Sequence, residues 1–225
     1  MKKLLIVLLS MGSLFALTFK DVADSKHIFF YAGDIVSRQN FYKKFIGLSL
    51  SRSNAKHIKH DITKPFPLRD NCVDMFQAED VFEHIEYQVL PSVINEIYRI
   101  LKPGGYARIS IPDYQCDVLY TRCKKNSFGD IVFDPGGGGA YQDGRVIKGG
   151  HVWFPMIGNV KNLVNMTEFA KKGRIVFYHY YDEKGQSVTK SIDYSKGFVK
   201  RTPDHDKRVS NPYRAMSLVF DLFKD

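Results

Sequence analysis

The sequence lacks a full set of pairable cysteines, a long apolar run and any internal repeat. Cys72, Cys116 and Cys123 are odd in number, so they cannot all form disulfides. Cys116 and Cys123 have no CxxC spacing, which argues against a zinc site built on thiols. Cys72 lies in an apolar run and reads as a core residue. Unpaired thiols suit a reducing compartment. Low complexity is confined to Gly136–Gly139. The formal charge is +9, which favours acidic partners such as nucleic acid, phosphorylated glycans or an anionic membrane surface. The basic residues are spread along the chain, however. That fits a basic, solvated surface, and no basic cluster marks an RNA-binding appendage.

The apolar stretch Leu4–Leu17 follows Lys2 and Lys3. It is too short for a comfortable membrane-spanning helix, which needs about 20 residues. It has the look of a secretory signal peptide or a short membrane anchor. With Ala16 as the last residue before a cut, Leu14 would take a place that prefers a small side chain. A buried first helix packed on a sheet is the alternative. Residues 1–20 are therefore set apart from a domain spanning 26–225, with inserted loops at about 125–155 and 183–213.

What is present is an alternation of strand and helix patterns, the signature of an α/β sheet. Strands are expected at about 27–32, 44–51, 57–62 and 71–80, with a helix near 37–44. Leu90, Val93, Ile94, Ile97, Tyr98 and Leu101 make one apolar stripe, so a helix runs from about 87 to 101. Pro103, Gly104 and Gly105 end it. Residues 106–112 alternate as a strand with Ala107, Ile109 and Ile111 on one face. A helix near 157–170 and strands at 174–181 and 215–223 complete the pattern.

One stretch carries a resemblance: "DITKPFPLRDNCVDMFQAEDVFEHIEYQVLPSVINEIYRILKPGGYARISIPD", residues 61–113. An acid follows the third strand, "PFPLRDNCVD" precedes or enters the fourth, "EH" follows it, and "EIYRILKPGG" and "IPD" bracket the fifth. In this order the features resemble class I S-adenosylmethionine-dependent methyltransferases, most closely the type 11 branch. The resemblance implies a Rossmann-like, doubly wound, mostly parallel sheet with an antiparallel last strand. It also implies S-adenosyl-L-methionine as cofactor and no metal.

In such sheets ligands bind beyond the carboxyl ends of the strands. The resemblance places an adenine contact at Asp61 and Ile62. Glu79 and Asp80 end the fourth strand and face the same crevice. His84 follows and is a candidate proton acceptor; packing or helix capping is the bland alternative. His151, in "GGHVWFP", is a second candidate base, and with Trp153 it would suit a sugar acceptor or a buried turn. Asp113 ends the fifth strand and is a candidate pocket residue. The first loop departs from the family pattern of several glycines. "FYAGD" keeps only Gly33, with Asp34 beside it. After the second strand Ser49 or Ser51 stands where the family usually has an acid for the ribose hydroxyls. "DPGGGG" is a candidate lid or anion nest. "RTPDHDKR" (201–208) could ligate a metal through Asp204, His205 and Asp206, but adjacent side chains diverge and an ion-paired loop is the better reading.

Three functions follow. The first is methyl transfer from S-adenosylmethionine to a small molecule or glycan, driven mainly by orientation. The second is a non-catalytic descendant of the fold acting as a binding or scaffold module, which the eroded first loop favours. The third is an RNA methyltransferase, which the charge permits and the absent basic cluster opposes. Because S-adenosylmethionine is a cytoplasmic metabolite, the expected place is the cytoplasm, with association to a membrane through residues 4–17. Export is the alternative if residues 1–16 are cleaved.

Overall fold

The computed structural model describes residues 16–35 and 40–225. Most of the apolar N-terminal stretch, up to residue 15, lies outside them, as do residues 37–39 of the helix expected near 37–44. Residues 40–42 form a single 3-10 turn. No helix among the described residues is long and apolar enough to cross a membrane.

The strands in chain order are β1 (Phe29–Ala32), β2 (Ile46–Ser49), β3 (His57–Lys59), β4 (Val73–Glu79), β5 (Leu101–Pro112), β6 (Lys124–Lys125), β7 (Ile131–Phe133), β8 (Ala140–Gln142), β9 (Arg145–Ile147), β10 (Gly173–Tyr181), β11 (Ser187–Thr189) and β12 (Ser217–Lys224). The helices are α1 (Phe19–Val22), α2 (Leu90–Ile100), α3 (Asp117–Arg122), α4 (Ile157–Asn165) and α5 (Glu168–Lys172). Eight strands form one sheet in the order β11-β10-β12-β5-β4-β1-β2-β3. β3, β2, β1, β4 and β5 run parallel. β12 is antiparallel to both β5 and β10. This is the expected sheet, with its reversed last strand inserted beside β5.

The apolar stripe of α2 buries Leu90, Val93, Ile94, Ile97 and Ile100 against the sheet. Pro91 lies in its first turn, where a missing N–H costs nothing. The helix stops at Ile100, and Lys102–Gly105 loop out as the pairing shifts from Val73↔Leu101 to Met75↔Tyr106. Gly104 makes this step at φ +78, which glycine adopts without strain. Phe30, Phe76, Ile109 and Phe220 present the sheet's first face to α2, α4 and α5. All four are fully buried, so truncating any one to alanine is expected to cost about 2–5 kcal/mol. The helix expected near 157–170 is two helices. Between them Thr167 turns its hydroxyl to the Val164 carbonyl at 2.7 Å, and Asn95 of α2 accepts the Glu168 N–H at 2.8 Å.

The second face is closed differently. Tyr31, Met75 and Tyr106 pack under Tyr42, Phe45 and Phe198, and Val219 packs under Ile192 and Val199. Residues 190–202 thus lie as a strap across this face. Arg108 is buried beneath the strap and forms a two-pronged pair with Asp221, at 2.9 and 2.8 Å. Its remaining nitrogen donates to the carbonyls of Asp193 at 2.9 Å and Gly197 at 2.6 Å. The loop-rich segment 125–155 contains two small hairpins, β6–β7 and β8–β9, which the sequence pattern did not distinguish.

Candidate functional site

The carboxyl ends of β1 and β4 border a cleft of about 150 Å3, lined by Tyr31, Asp34, Tyr42, Glu79, Asp80 and Lys200 among others. β1 ends at Ala32, and Gly33 turns the chain away at φ +107 while its N–H donates to the Leu48 carbonyl at 2.8 Å. A Cβ at Gly33 would meet only Tyr31 and Val81, at 3.8 and 4.0 Å. The strain of a side chain here would come from the backbone angle, not from crowding. Gly33→Val is therefore expected to lower stability by about 1–3 kcal/mol in a thermal melt, whether or not a ligand is present.

The acids of this cleft have different partners. Glu79 accepts from the Tyr42 hydroxyl at 2.7 Å, the Gln77 amide at 2.8 Å and the Lys200 N–H at 2.9 Å. Burial nonetheless holds its carboxyl above the usual range. Asp80 sits at φ +53 and pairs one oxygen with Arg201 at 3.0 Å. Its other oxygen, Oδ1, is buried without a partner. Asp34 is exposed and paired with Arg52 at 2.9 Å. Ser49 is not among the residues that line the cleft. Its Oγ accepts the N–H groups of Ser51 and Arg52, at 3.2 and 2.9 Å, and caps the turn after β2. Asp61 and Ile62 lie beyond β3. One oxygen of Asp61 accepts from the Thr63 N–H and hydroxyl, at 2.9 and 2.8 Å, while Ile62 is buried in the main core. The structure thus gathers Asp34, Glu79 and Asp80 about one cleft with Gly33 at its margin. It leaves Ser49, Asp61 and Ile62 outside the cleft's lining.

A second cluster adjoins the first through the turn after β4. Phe82–His84 form one 3-10 turn. His84 is exposed, and its Nδ1 lies 2.8 Å from the Gly149 carbonyl. A carbonyl only accepts, so Nδ1 carries the proton. His151 is buried, and its ring stands 4.6 Å from that of His84. The His151 Nδ1 meets the Tyr114 hydroxyl. That hydroxyl donates to Asp134 at 2.7 Å, and Arg122 brackets Asp134 at 2.7 and 2.6 Å. The Tyr114 oxygen therefore accepts from Nδ1–H, which leaves the His151 Nε2 as a lone pair. Burial, with the adjoining His84, pushes the His151 imidazolium down to about 4. Glu83 is fully buried, and neither of its oxygens has a hydrogen-bond partner. Burial and the nearby Asp80 hold its carboxyl well above the usual range.

The glycine run is explained by close approach. A Cβ on Gly136 would fall 2.4 Å from the Arg122 guanidinium carbon, and one on Gly137 would fall 2.5 Å from the His151 ring. Asp134 caps this turn by accepting the Gly136 N–H at 2.8 Å. Trp153 anchors the loop by donating to the Phe82 carbonyl at 2.9 Å and packing edge-on against Tyr87. Asp113 is also an anchor, accepting the N–H groups of Gln115 and Tyr181 at 3.1 and 2.9 Å. In "RTPDHDKR", Asp204 accepts from Tyr194 and Tyr213, and Asp206 pairs with Arg208. Glu83, Tyr114, Arg122, Asp134 and Arg201 were not singled out as site residues from the sequence alone. The signal available was "EH" itself, whose glutamate is the buried member.

The strand order, the reversed β12 and a cleft at the carboxyl ends of β1 and β4 define a class I methyltransferase-type α/β fold. Residues 30–109, from β1 into β5, match the family model described as "Methyltransferase domain", type 11. This segment is similar to methyltransferase domains, with which S-adenosylmethionine is the cofactor expected. No curated protein matches the chain significantly. Solved structures of similar shape include a SAM-dependent methyltransferase from Thermotoga maritima, at 15% identity and TM-score 0.48, covering 88% of this chain and 82% of that one. One from Archaeoglobus fulgidus has 12% identity and TM-score 0.47, covering 90% and 88%. One from Clostridium acetobutylicum has 11% identity and TM-score 0.48, covering 89% and 85%.

Proposed function

We propose that this protein is an S-adenosylmethionine-dependent methyltransferase acting on a small-molecule or glycan acceptor. The observation that carries the reading is the continuity of the two clusters. Asp80, with an unpartnered oxygen in the donor cleft, stands four residues before His84, which has a free ring nitrogen. A methyl-donor pocket and a proton acceptor thus share one turn.

The cleft suits a cationic ligand. The Asp80 Oδ1 is a buried acceptor awaiting a donor, and the cofactor's ammonium group would supply one. The enclosed volume of about 150 Å3 is below the roughly 300–1,000 Å3 usual for small-molecule sites. It would take one end of the cofactor, with the rest over the open edge beyond β2 and β3. Gly33 would let that end lie against the backbone, and Asp61, with one oxygen free of protein partners, would meet the adenine amino group. Asp34 would reach the ribose by releasing exposed Arg52. The cofactor supplies a methyl group on a good leaving group. His84 would accept the acceptor's proton at Nε2, while its Nδ1–H stays on the Gly149 carbonyl. The buried His151 ring would back that of His84, which it meets at 4.6 Å. Orientation accounts for most of the acceleration in such a displacement.

A second reading is favoured by one specific observation. Ser49, Asp34 and Glu79 are all occupied by internal partners, as they would be in a module that has given up the cofactor. Calorimetry with S-adenosylmethionine and S-adenosylhomocysteine separates the two. The enzyme reading expects both to bind, and Asp61→Ala to weaken binding by about 1–3 kcal/mol. Equal affinity in variant and parent removes Asp61 from the site. Absence of binding in the parent turns the assignment to the non-catalytic module.

A further inference from the structure

We propose that Glu83, His84 and His151 form a binding site for a divalent transition-metal cation of the zinc type. The inference goes beyond the methyltransferase reading and rests on separate observations; a bound cation would take the His84 Nε2 lone pair that the reading uses as proton acceptor, so the two roles exclude each other in one molecule.

Three observations converge. First, one ligand atom from each residue lies within 4.8 Å of the others. The Glu83 Oε1 and the His151 Nε2 are 3.6 Å apart. Two ligands each about 2.0–2.2 Å from a zinc-like ion stand about 3.3–3.6 Å apart at tetrahedral to trigonal angles. Second, Glu83 is completely buried and has no hydrogen bond on either oxygen. An unpaired buried carboxyl is costly in either protonation state. A cation resolves this, and it also gives the facing His151 lone pair a partner.

Third, both histidines are held as metal-ligating histidines usually are. The His84 Nδ1–H is donated to a backbone carbonyl, and the His151 Nδ1–H to the Tyr114 hydroxyl, itself fixed by Asp134 and Arg122. Such outer partners fix the tautomer and leave Nε2 for the metal. Two imidazoles and one carboxylate select zinc, cobalt(II) or iron(II) over magnesium or calcium, which prefer oxygen alone. His84 is exposed, so a cation here would keep an open position for a solvent or substrate oxygen. That is the pattern of reactive, not structural, sites. Of the flanking acids, Asp134 is bracketed by Arg122, and Asp80 has one oxygen on Arg201.

The test is titration of the full chain with cobalt(II), after treatment with chelator and without S-adenosylmethionine, followed by visible d–d absorption and by zinc calorimetry. One cation per chain with a low-symmetry cobalt spectrum is expected. His84→Ala, whose exposed side chain can go without loss of fold, should weaken binding at least tenfold at an unchanged melting temperature. Glu83→Gln should abolish the spectrum. Tyr114→Phe, a change in a positioning residue, should weaken binding about 10–100-fold. Absence of a cobalt spectrum in the parent overturns the proposal. So does equal cobalt affinity in parent, His84→Ala and Glu83→Gln, which would mark a surface site elsewhere. Because the cofactor is absent from the titration, failure here leaves the methyltransferase reading standing, and the converse also holds.

Discussion

Replacing Asp221 with alanine is expected to lower the free energy of unfolding by about 3–5 kcal/mol, measured by urea denaturation. Arg108 and Asp221 are each only 1% exposed and are joined by two hydrogen bonds, at 2.9 and 2.8 Å. Removing the carboxylate leaves a guanidinium in a dry interior with two carbonyls but no counter-charge. The penalty is that of an uncompensated buried ion, which exceeds what the pair itself contributes. Arg108→Met combined with Asp221→Leu should recover most of the loss, since neither charge then needs water. The carbonyls of Asp193 and Gly197 would still lose their donor. Faster hydrogen exchange should therefore appear in residues 190–198. A cost below about 1 kcal/mol for Asp221→Ala would mean that water reaches the pair.

Asp113 should make the protein more stable as the pH falls through the mildly acidic range. Burial pushes its carboxyl from 3.8 up to about 6, against the two N–H groups that it accepts. Between those values the folded state holds a proton that the unfolded chain has released. Stability linked to this group is therefore greatest below about pH 3.8 and is lost as the pH rises toward 6, by up to about 3 kcal/mol. Other groups titrate in the same range, so the parent is compared with Asp113→Asn. The stability of the parent relative to the variant should grow by about 2 kcal/mol as the pH falls from 6 to 4. A pH-independent difference would show that the two N–H groups keep Asp113 ionised throughout.

The parts of the fold that were legible share a local cause. The stripe of α2, the Lys102–Gly105 break and the alternation of β5 depend on spacing that neighbouring residues set by themselves. The order of acids and glycines through residues 61–113 then sufficed for the sheet type. The cleft was legible in part, because Glu79 and Asp80 end a strand that any such sheet directs at the ligand. Ser49 was a plausible ribose contact from its position after β2, yet its hydroxyl closes a turn two and three residues on. A sequence position does not say which of two available donors a short side chain will satisfy.

The sequence by itself determined an alternating α/β sheet, because strand and helix periods and the breaks between them are short-range properties, while the methyltransferase type was what the resemblance of residues 61–113 implied. Only the tertiary structure decided what lies at the end of that sheet. Glu83 is an orphaned buried acid with His151, 68 residues further on, 3.6 Å from one of its oxygens. His151 lies far along the chain from His84 and came within reach only because Gly136 and Gly137 leave room for Arg122 and the imidazole. The strap across the second face likewise found Arg108 through contacts more than eighty residues apart in sequence. Burial and long-range pairing decide the charge state and partners of a group, and both are set by segments that no local pattern brings together.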